Sequence, residues 1–358
     1  MKNIIKTLIV MLTSISLFGS ANAGELTVNG TAKATYNILS GKTNTGKGLG
    51  ITNELNFTAA GELDNGYTWS YSMELDPDNA PAVSGGNGVA ENDDSKLTLS
   101  APWGTVGVFI SEGGLDVEDA GSQSVYGRPT DIGDPSTGTG DNYTIDSYNN
   151  VQYHMPADML PFGIVGKIAY APDLDADKNS GNAKGNTIGE SATSLGRSAT
   201  EIQVKAAPID GLAIGASYFE FDKAGAAGTT NSADPMSGAY YATYASGPFG
   251  IGYSKAYKQP LNTDTAGTST TQVDYYEQTN YSVAYAASDD LSISYEVEED
   301  TRFLNNAGTS VDQESTSIQV AYTMGGMTLA VAHGNYENIG WTEGDEQDQT
   351  LFAVTMAF

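Results

Sequence analysis

From Glu25 to Ile38 apolar and polar side chains alternate almost without a break. Leu26, Val28, Ala32, Ala34, Tyr36 and Ile38 fall in one row, and Thr27, Asn29, Thr31, Lys33 and Thr35 in the other. A period of two is the signature of a strand with one greasy and one wet face. The same rhythm returns with Leu49, Ile51, Leu55 and Phe57 against Thr52, Glu54, Asn56 and Thr58. It continues with Tyr67, Trp69, Tyr71, Met73 and Leu75 against Thr68, Ser70, Ser72 and Glu74. Later segments keep it, among them Ile202 and Val204 against Glu201, Gln203 and Lys205, and Ile318, Val320, Tyr322 and Met324 against Ser317, Gln319, Ala321 and Thr323. At 237–246 and 250–258 the alternation is less clean, and the pattern selects neither face.

Connections between these strands come in two lengths. Short turns are expected at 64–66, 102–104, 156–162, 207–211, 246–249, 287–290 and 325–326. Long polar loops are expected at about 39–48, 77–95, 111–149, 171–199, 223–236, 258–272, 301–314 and 338–349. Strict alternation of short and long connections predicts sixteen strands in an all-β, antiparallel up-and-down barrel that crosses a membrane, with the short turns on the periplasmic side. Pro102–Trp103–Gly104, Pro161–Phe162–Gly163 and Pro248–Phe249–Gly250 each place an aromatic at that same end, as an interfacial girdle requires. The last strand, with Phe352, Val354, Met356 and Phe358 in one row, is expected to pair with the first. That closure removes both edges, since an unpaired backbone group in a bilayer costs several kcal/mol.

The segment 111–149 departs from this rhythm. It is rich in Gly, Ser, Thr and Asp, and it carries Glu112, Asp116, Glu118, Asp119, Asp131, Asp134, Asp141 and Asp146 against a single cation, Arg128. A loop of that length in a compact chain is usually functional or disordered. Between membrane-spanning strands it reads as the third long loop, folded into the lumen.

Composition sharpens the assignment. Lys2 and Lys6, an apolar run from Leu8 to Phe18 and Ser20–Ala21–Asn22–Ala23 form an export signal over residues 1–23, with a mature barrel over 24–358. The apolar run is too short for a spanning helix. Removing two lysines leaves 14 basic against 44 acidic residues, a mature net charge near −30. Such a chain repels nucleic acid and draws cations. The 21 tyrosines and the alternation argue against disorder despite modest apolar content. Cysteine is absent, so no disulfide framework is available.

An export signal, sixteen amphipathic strands, Trp103–Gly104–Thr105–Val106 leading into a long third loop, and a terminal Phe358 resemble the general bacterial porins of Gram-negative outer membranes. The acidic loops are most similar to the alphaproteobacterial branch. The resemblance spans the mature chain. It implies a homotrimer of water-filled channels in the outer membrane, each narrowed by its third loop, whose acids face basic side chains on the barrel wall. Carried onto this chain, Glu112, Asp116, Glu118, Asp119, Asp131 and Asp134 are the acidic side, and Lys33, Lys96, Lys167 and Lys205 the basic wall. The Pro-Glu-Phe-Gly motif of enterobacterial relatives is absent, and the preceding strand ends Phe109–Ile110 where relatives often carry Arg.

Passive diffusion of small hydrophilic solutes and ions needs no catalytic group; lining charge and diameter set selectivity. The acid-rich loop predicts a weak preference for cations. Asp173, Asp175 and Asp177 suggest loose binding of divalent ions such as calcium. An EF-hand would need Gly and Glu where Lys178 and Lys184 stand. Only His154 and His333 could serve as a catalytic imidazole, and both read as packing or interfacial residues, so no enzyme and no cofactor is expected. Two alternatives share much of the pattern: a substrate-specific outer-membrane channel, and a secreted soluble all-β adhesin or surface protein.

Overall fold

A computed structural model of the chain describes residues 25–42, 45–77, 90–132, 142–172, 174, 198–222, 235–260, 273–304 and 311–358. The proposed export signal, Asp134, Asp141, Asp173, Asp175 and Asp177 lie outside the described residues. The strands are β1 (Leu26–Gly41), β2 (Gly46–Glu62), β3 (Thr68–Pro77), β4 (Ala90–Ala101), β5 (Gly104–Ile110), β6 (Asn150–His154), β7 (Val165–Ala171), β8 (Ser198–Ile209), β9 (Leu212–Asp222), β10 (Met236–Ser246), β11 (Phe249–Gln259), β12 (Val273–Ala286), β13 (Leu291–Leu304), β14 (Gln313–Met324), β15 (Met327–Glu337) and β16 (Glu346–Ala357). Each pairs antiparallel with its sequence neighbours, and β1 pairs with β16 from Thr31↔Ala357 to Gly41↔Gln347, closing a sixteen-stranded barrel. Among the described residues no helix is long and apolar enough to cross a membrane; the strands are the only crossing elements a barrel needs.

Side chains divide as the alternation demands. Along β2 Leu49 is 82% exposed, and Ile51, Ile202, Val204, Ile318, Val320 and Phe352 are likewise on the outer surface. The opposite row is buried and polar, with Glu201, Gln203, Asn280, Ser282, Ser294, Glu296, Glu298, Ser317 and Gln319 nearly inaccessible. In a closed barrel the second row faces the interior, and sixteen strands enclose more space than wall side chains can fill. The aromatic turns lie where the repeat placed them: Phe162 and Phe249 are 64% and 60% exposed, and Trp103 meets Tyr67 edge-on at 6.4 Å.

Closure uses the last residue. Gly30 N donates to Phe358 O at 2.8 Å and Phe358 N to Gly30 O at 3.0 Å. A Cβ at Gly30 would strike the backbone of Glu54 and the Phe358 ring, so this position admits only glycine without displacement.

Several expectations change in detail; β4 begins at Ala90 and β16 at Glu346, inside the loops expected at 77–95 and 338–349. The long loop at 39–48 contracts to residues 42–45, because the ladder continues through Leu39↔Gly46. Glycines at 41, 46, 48 and 50 interrupt the apolar rhythm there without interrupting backbone pairing. The faces left open on β10 and β11 are also fixed: Tyr240, Tyr244 and Ile251 point outward, while Ala239, Tyr241, Ser254 and Ala256 point inward.

Candidate functional site

The reason for that ambiguity is what the inward row receives. Leu115 and Ile145, from the segment after β5, cluster with Ala169, Ala171, Ala199, Phe219 and Phe221 on the inward rows of β7–β9. Val117 packs with Ala239, Tyr241 and Ala256 on β10 and β11. Ile132 packs with Ala330, Ala332, Leu351 and Ala353 on β15 and β16. The wall carries alanine where the segment brings a large aliphatic group. Burial of one such side chain contributes about 1.5–3 kcal/mol.

Polar contacts follow the same track. Wall carboxylates accept backbone N–H groups: Glu201 Oε2 takes Leu115 N at 3.3 Å and Ile145 N at 2.8 Å, and Glu298 Oε2 takes Thr130 N at 3.1 Å. Ser122 Oγ donates to Glu296 Oε2 at 2.5 Å, and Ser124 also bonds that oxygen. Gln319 Oε1 accepts Tyr126 N at 2.9 Å, while Gln349 Nε2 donates to Ile132 O at 2.9 Å. The segment thus exchanges its unpaired backbone groups for fixed partners. The acidic run Glu296–Asp300 divides accordingly: Glu296 and Glu298 clamp the segment, and Glu299 is exposed on the outer row.

One contact is backbone against backbone. A Cβ at Gly252 on β11 would overlap the carbonyl oxygen of Gly121, and one at Gly121 would meet Ser254 and Tyr253. Ser282 Oγ donates to Gly121 O at 3.0 Å beside this contact. Gly252→Val is therefore expected to lift residues 118–126 off the wall while leaving strand pairing intact. Faster chymotryptic cleavage after Tyr126, with unchanged far-ultraviolet circular dichroism, is the result to look for; unchanged cleavage would contradict it.

Arg128 is the electrostatic centre. Its Nη1 lies 3.2 Å from Glu118, 2.8 Å from Asp119 and 3.3 Å from Glu298, and its Nε 3.7 Å from Asp131. Three of these acids belong to the segment and Glu298 to the wall, so the guanidinium joins one to the other. Burial pushes the Glu118 carboxyl well above the ordinary range, against the pull of Arg128. Burial opposes the charge of Arg128 too, but the surrounding Glu298, Asp119, Glu118 and Asp131 outweigh it and raise its pKa. Burial likewise raises Asp146 and Tyr126.

An open cavity of about 480 Å³ adjoins this centre, lined by Asp116, Glu118, Asp119, Arg128, Asp131 and Asp146 together with Asn142 and Thr144. Asp116 is held by Ser217 Oγ at 2.8 Å and Asn142 Nδ2 at 3.1 Å. Of the acids singled out in the sequence, Asp116, Glu118, Asp119 and Asp131 meet here. Glu112 instead pairs with Lys96, and Asp146, one of the segment's acids but outside the set assigned to the acidic side, joins the cavity. Of the basic residues, Lys33 lies over the Tyr126 ring at 5.9 Å and Lys96 binds Glu112. Lys167 and Lys205 form a separate pair near His154. Lys258, which sequence reasoning passed over, sits 4.6 Å from the Tyr143 ring; its inward phase on β11 was the missing signal. His154 bonds Gln152 and packs near Phe109, and His333 is outward, paired with Thr350. Among the described residues no group of three or more His, Asp or Glu is arranged to hold a metal ion.

A family model described as Gram-negative porin matches residues 9–358. No curated protein sequence matches the chain. Among solved structures, OmpF of Salmonella typhi in complex with daunomycin superposes with a TM-score of 0.66 at 13% identity, covering 94% of this chain and 98% of that one. An anion-selective porin from Comamonas acidovorans gives 0.66 at 13% identity, over 94% and 100%. A loop-deletion mutant of OmpT, an outer membrane protein of Vibrio cholerae, gives 0.60 at 14%, over 94% and 100%.

Proposed function

This chain belongs to the Gram-negative porin family, and from that premise we propose an outer-membrane channel for small hydrophilic solutes, narrowed by residues 111–149 and weakly cation-preferring. The observation that carries the finer reading is the cavity that Asp116, Glu118, Asp119, Asp131 and Asp146 line together with the single guanidinium of Arg128. Five carboxylates against one cation, in a water-filled space with low-dielectric walls, focus a negative potential and enrich cations. In this reading the segment lies across the lumen, held there by Glu201, Glu296, Glu298 and three apolar contacts. Lys33 and Lys96 keep the opposing charge close to the segment and offset part of the field. The polypeptide is exported by residues 1–23 and assembles as a homotrimer.

The fold leaves selectivity open, since an anion-selective porin shares it; the lining decides. In planar bilayers under a KCl gradient the reversal potential is expected to take the sign of potassium preference. A reversal potential of the opposite sign would overturn the cation assignment.

A further inference from the structure

A second charge cluster lies apart from the acidic cavity. Gly113 O and Leu115 O, at the start of the segment, accept hydrogen bonds from Gln152 Nε2 at 2.5 Å and Gln203 Nε2 at 2.7 Å. Two residues further toward the short turns stand His154 on β6 and Lys205 on β8. Lys167 on β7 is the register partner of both His154 and Gln203. A step of two residues along a strand is about 7 Å and keeps the same face. The three basic side chains therefore form a band on the inward row, on the short-turn side of the point where the segment first rests on the wall.

Their surroundings are unusual for lysine. The charged group acting on Lys167 is Lys205, and the one acting on His154 is Lys167; among the described residues no carboxylate joins them. The Lys205 stem runs over Gly215, where an added Cβ would stand 3.0 Å from its Cγ and would also meet Tyr241. The His154 ring is braced by Gln152 at 2.7 Å and by Phe109 at a centroid distance of 5.8 Å. Lys96 and Lys255, by contrast, are matched by acids: Lys96 has Glu112, and Lys255 on the outer row has Glu277 at 3.1 Å. Two like charges side by side repel, and a visiting anion would relieve that repulsion.

We infer that Lys167 and Lys205, walled by His154, form a subsite for a small anion bearing phosphate or carboxylate groups. The inference rests on the porin reading and adds a solute class to it. In that reading an anion from the long-loop side meets the acidic cavity first, whereas one from the short-turn side reaches the lysines directly. Binding is thus accessible chiefly from one mouth.

Inorganic pyrophosphate is the probe, added in turn to each side of a single inserted channel while potassium current is read. Two ammonium groups about 5 Å from a single phosphate charge, at the dielectric of water, correspond to about a tenfold change in affinity, and salt screening brings the larger effect of a multiply charged anion down toward that figure. Block is expected at lower concentration from one side than from the other, and the Lys167→Gln/Lys205→Gln double variant is expected to need about tenfold more pyrophosphate. Lys47→Gln, on the outer row of β2, should retain the block. A conducting channel blocked equally from both sides, or one whose block survives in the double variant, overturns the subsite. A purified protein that forms no conducting channel at all overturns the porin reading instead.

Discussion

Replacing Arg128 with alanine is expected to release residues 118–132 from the wall without unfolding the barrel. The side chain is only 8% exposed and stands among Glu118, Asp119, Asp131 and Glu298, of which Glu118 and Glu298 are themselves buried. Removing one partner of a buried pair leaves the other charged and unpaired, which costs about 3–5 kcal/mol. That is comparable to the burial of one or two of the apolar anchors Val117 and Ile132 at about 1.5–3 kcal/mol each. Strand pairing does not depend on Arg128, so the thermal transition of the barrel should stay near that of the wild type. On the proposed channel reading, single-channel conductance should rise and become noisier as the segment comes off the wall. A variant with wild-type conductance and noise would show that the guanidinium is not the fastening.

The same variant has a pH signature. Glu118 in the folded protein takes up a proton more readily than an ordinary carboxylate, because burial penalises its charge. A carboxylate whose pKa is raised by docking stabilises the docked state most when protonated, and loses that contribution as pH rises through the raised value. Without Arg128 the shift grows, since the largest influence lowering it is gone and only the Asn142 N–H bond still opposes burial. Acidification should therefore restore docking in Arg128→Ala, bringing conductance back toward the wild-type level.

The barrel was legible because lipid on one side and water on the other force a two-residue period on every strand. Leu26 through Ile38, or Leu291 through Val297, read as strands with one apolar and one polar face. The pairing of the last strand with the first followed from the need to remove edges; that Phe358 meets Gly30 did not. Legibility failed where the inner wall is not wet. On β10 and β11 the inward Ala239, Tyr241 and Ala256 are apolar because Val117 rests on them, so both faces read alike. The anchors Leu115, Val117, Ile132 and Ile145 were invisible for a related reason. They are single apolar residues spaced by the circumference of a wall rather than by any helical or strand period. Acid-rich composition pointed to the segment but not to the division of labour within it. Glu118 is buried against Arg128, whereas Asp119 remains 69% exposed, and only tertiary contacts separate the two. Lys167 and Lys205 were read as the counter-charge of the loop acids from inward phase alone; phase gives the face but not the height along the barrel.

That separation of roles decides which acids to remove for the largest change in selectivity. Asp116 is bound to Ser217 and Asn142, and Glu118 to Arg128 and Asn142 N, so altering either disturbs docking. Asp119 and Asp131 are the exposed partners of Arg128, and removing their charge leaves the buried Glu118 and Glu298 on the guanidinium; Asp146 lines the same cavity, and asparagine can keep the Arg128 N contact that Asp131 Oδ2 now makes at 3.0 Å. A carboxylate about 5 Å from a passing potassium ion contributes roughly 1 kcal/mol at the dielectric of water, before screening. The Asp119→Asn/Asp131→Asn/Asp146→Asn variant should therefore lose several-fold in potassium-over-chloride permeability at about 0.1 M salt. At about 1 M the Debye length shrinks to roughly 3 Å, and the difference between variant and wild type should largely vanish. Conductance at high salt should be preserved, because asparagine matches the shape it replaces and the segment stays in place. A triple variant with the wild-type reversal potential at low salt would place the selective charge elsewhere than in this cavity.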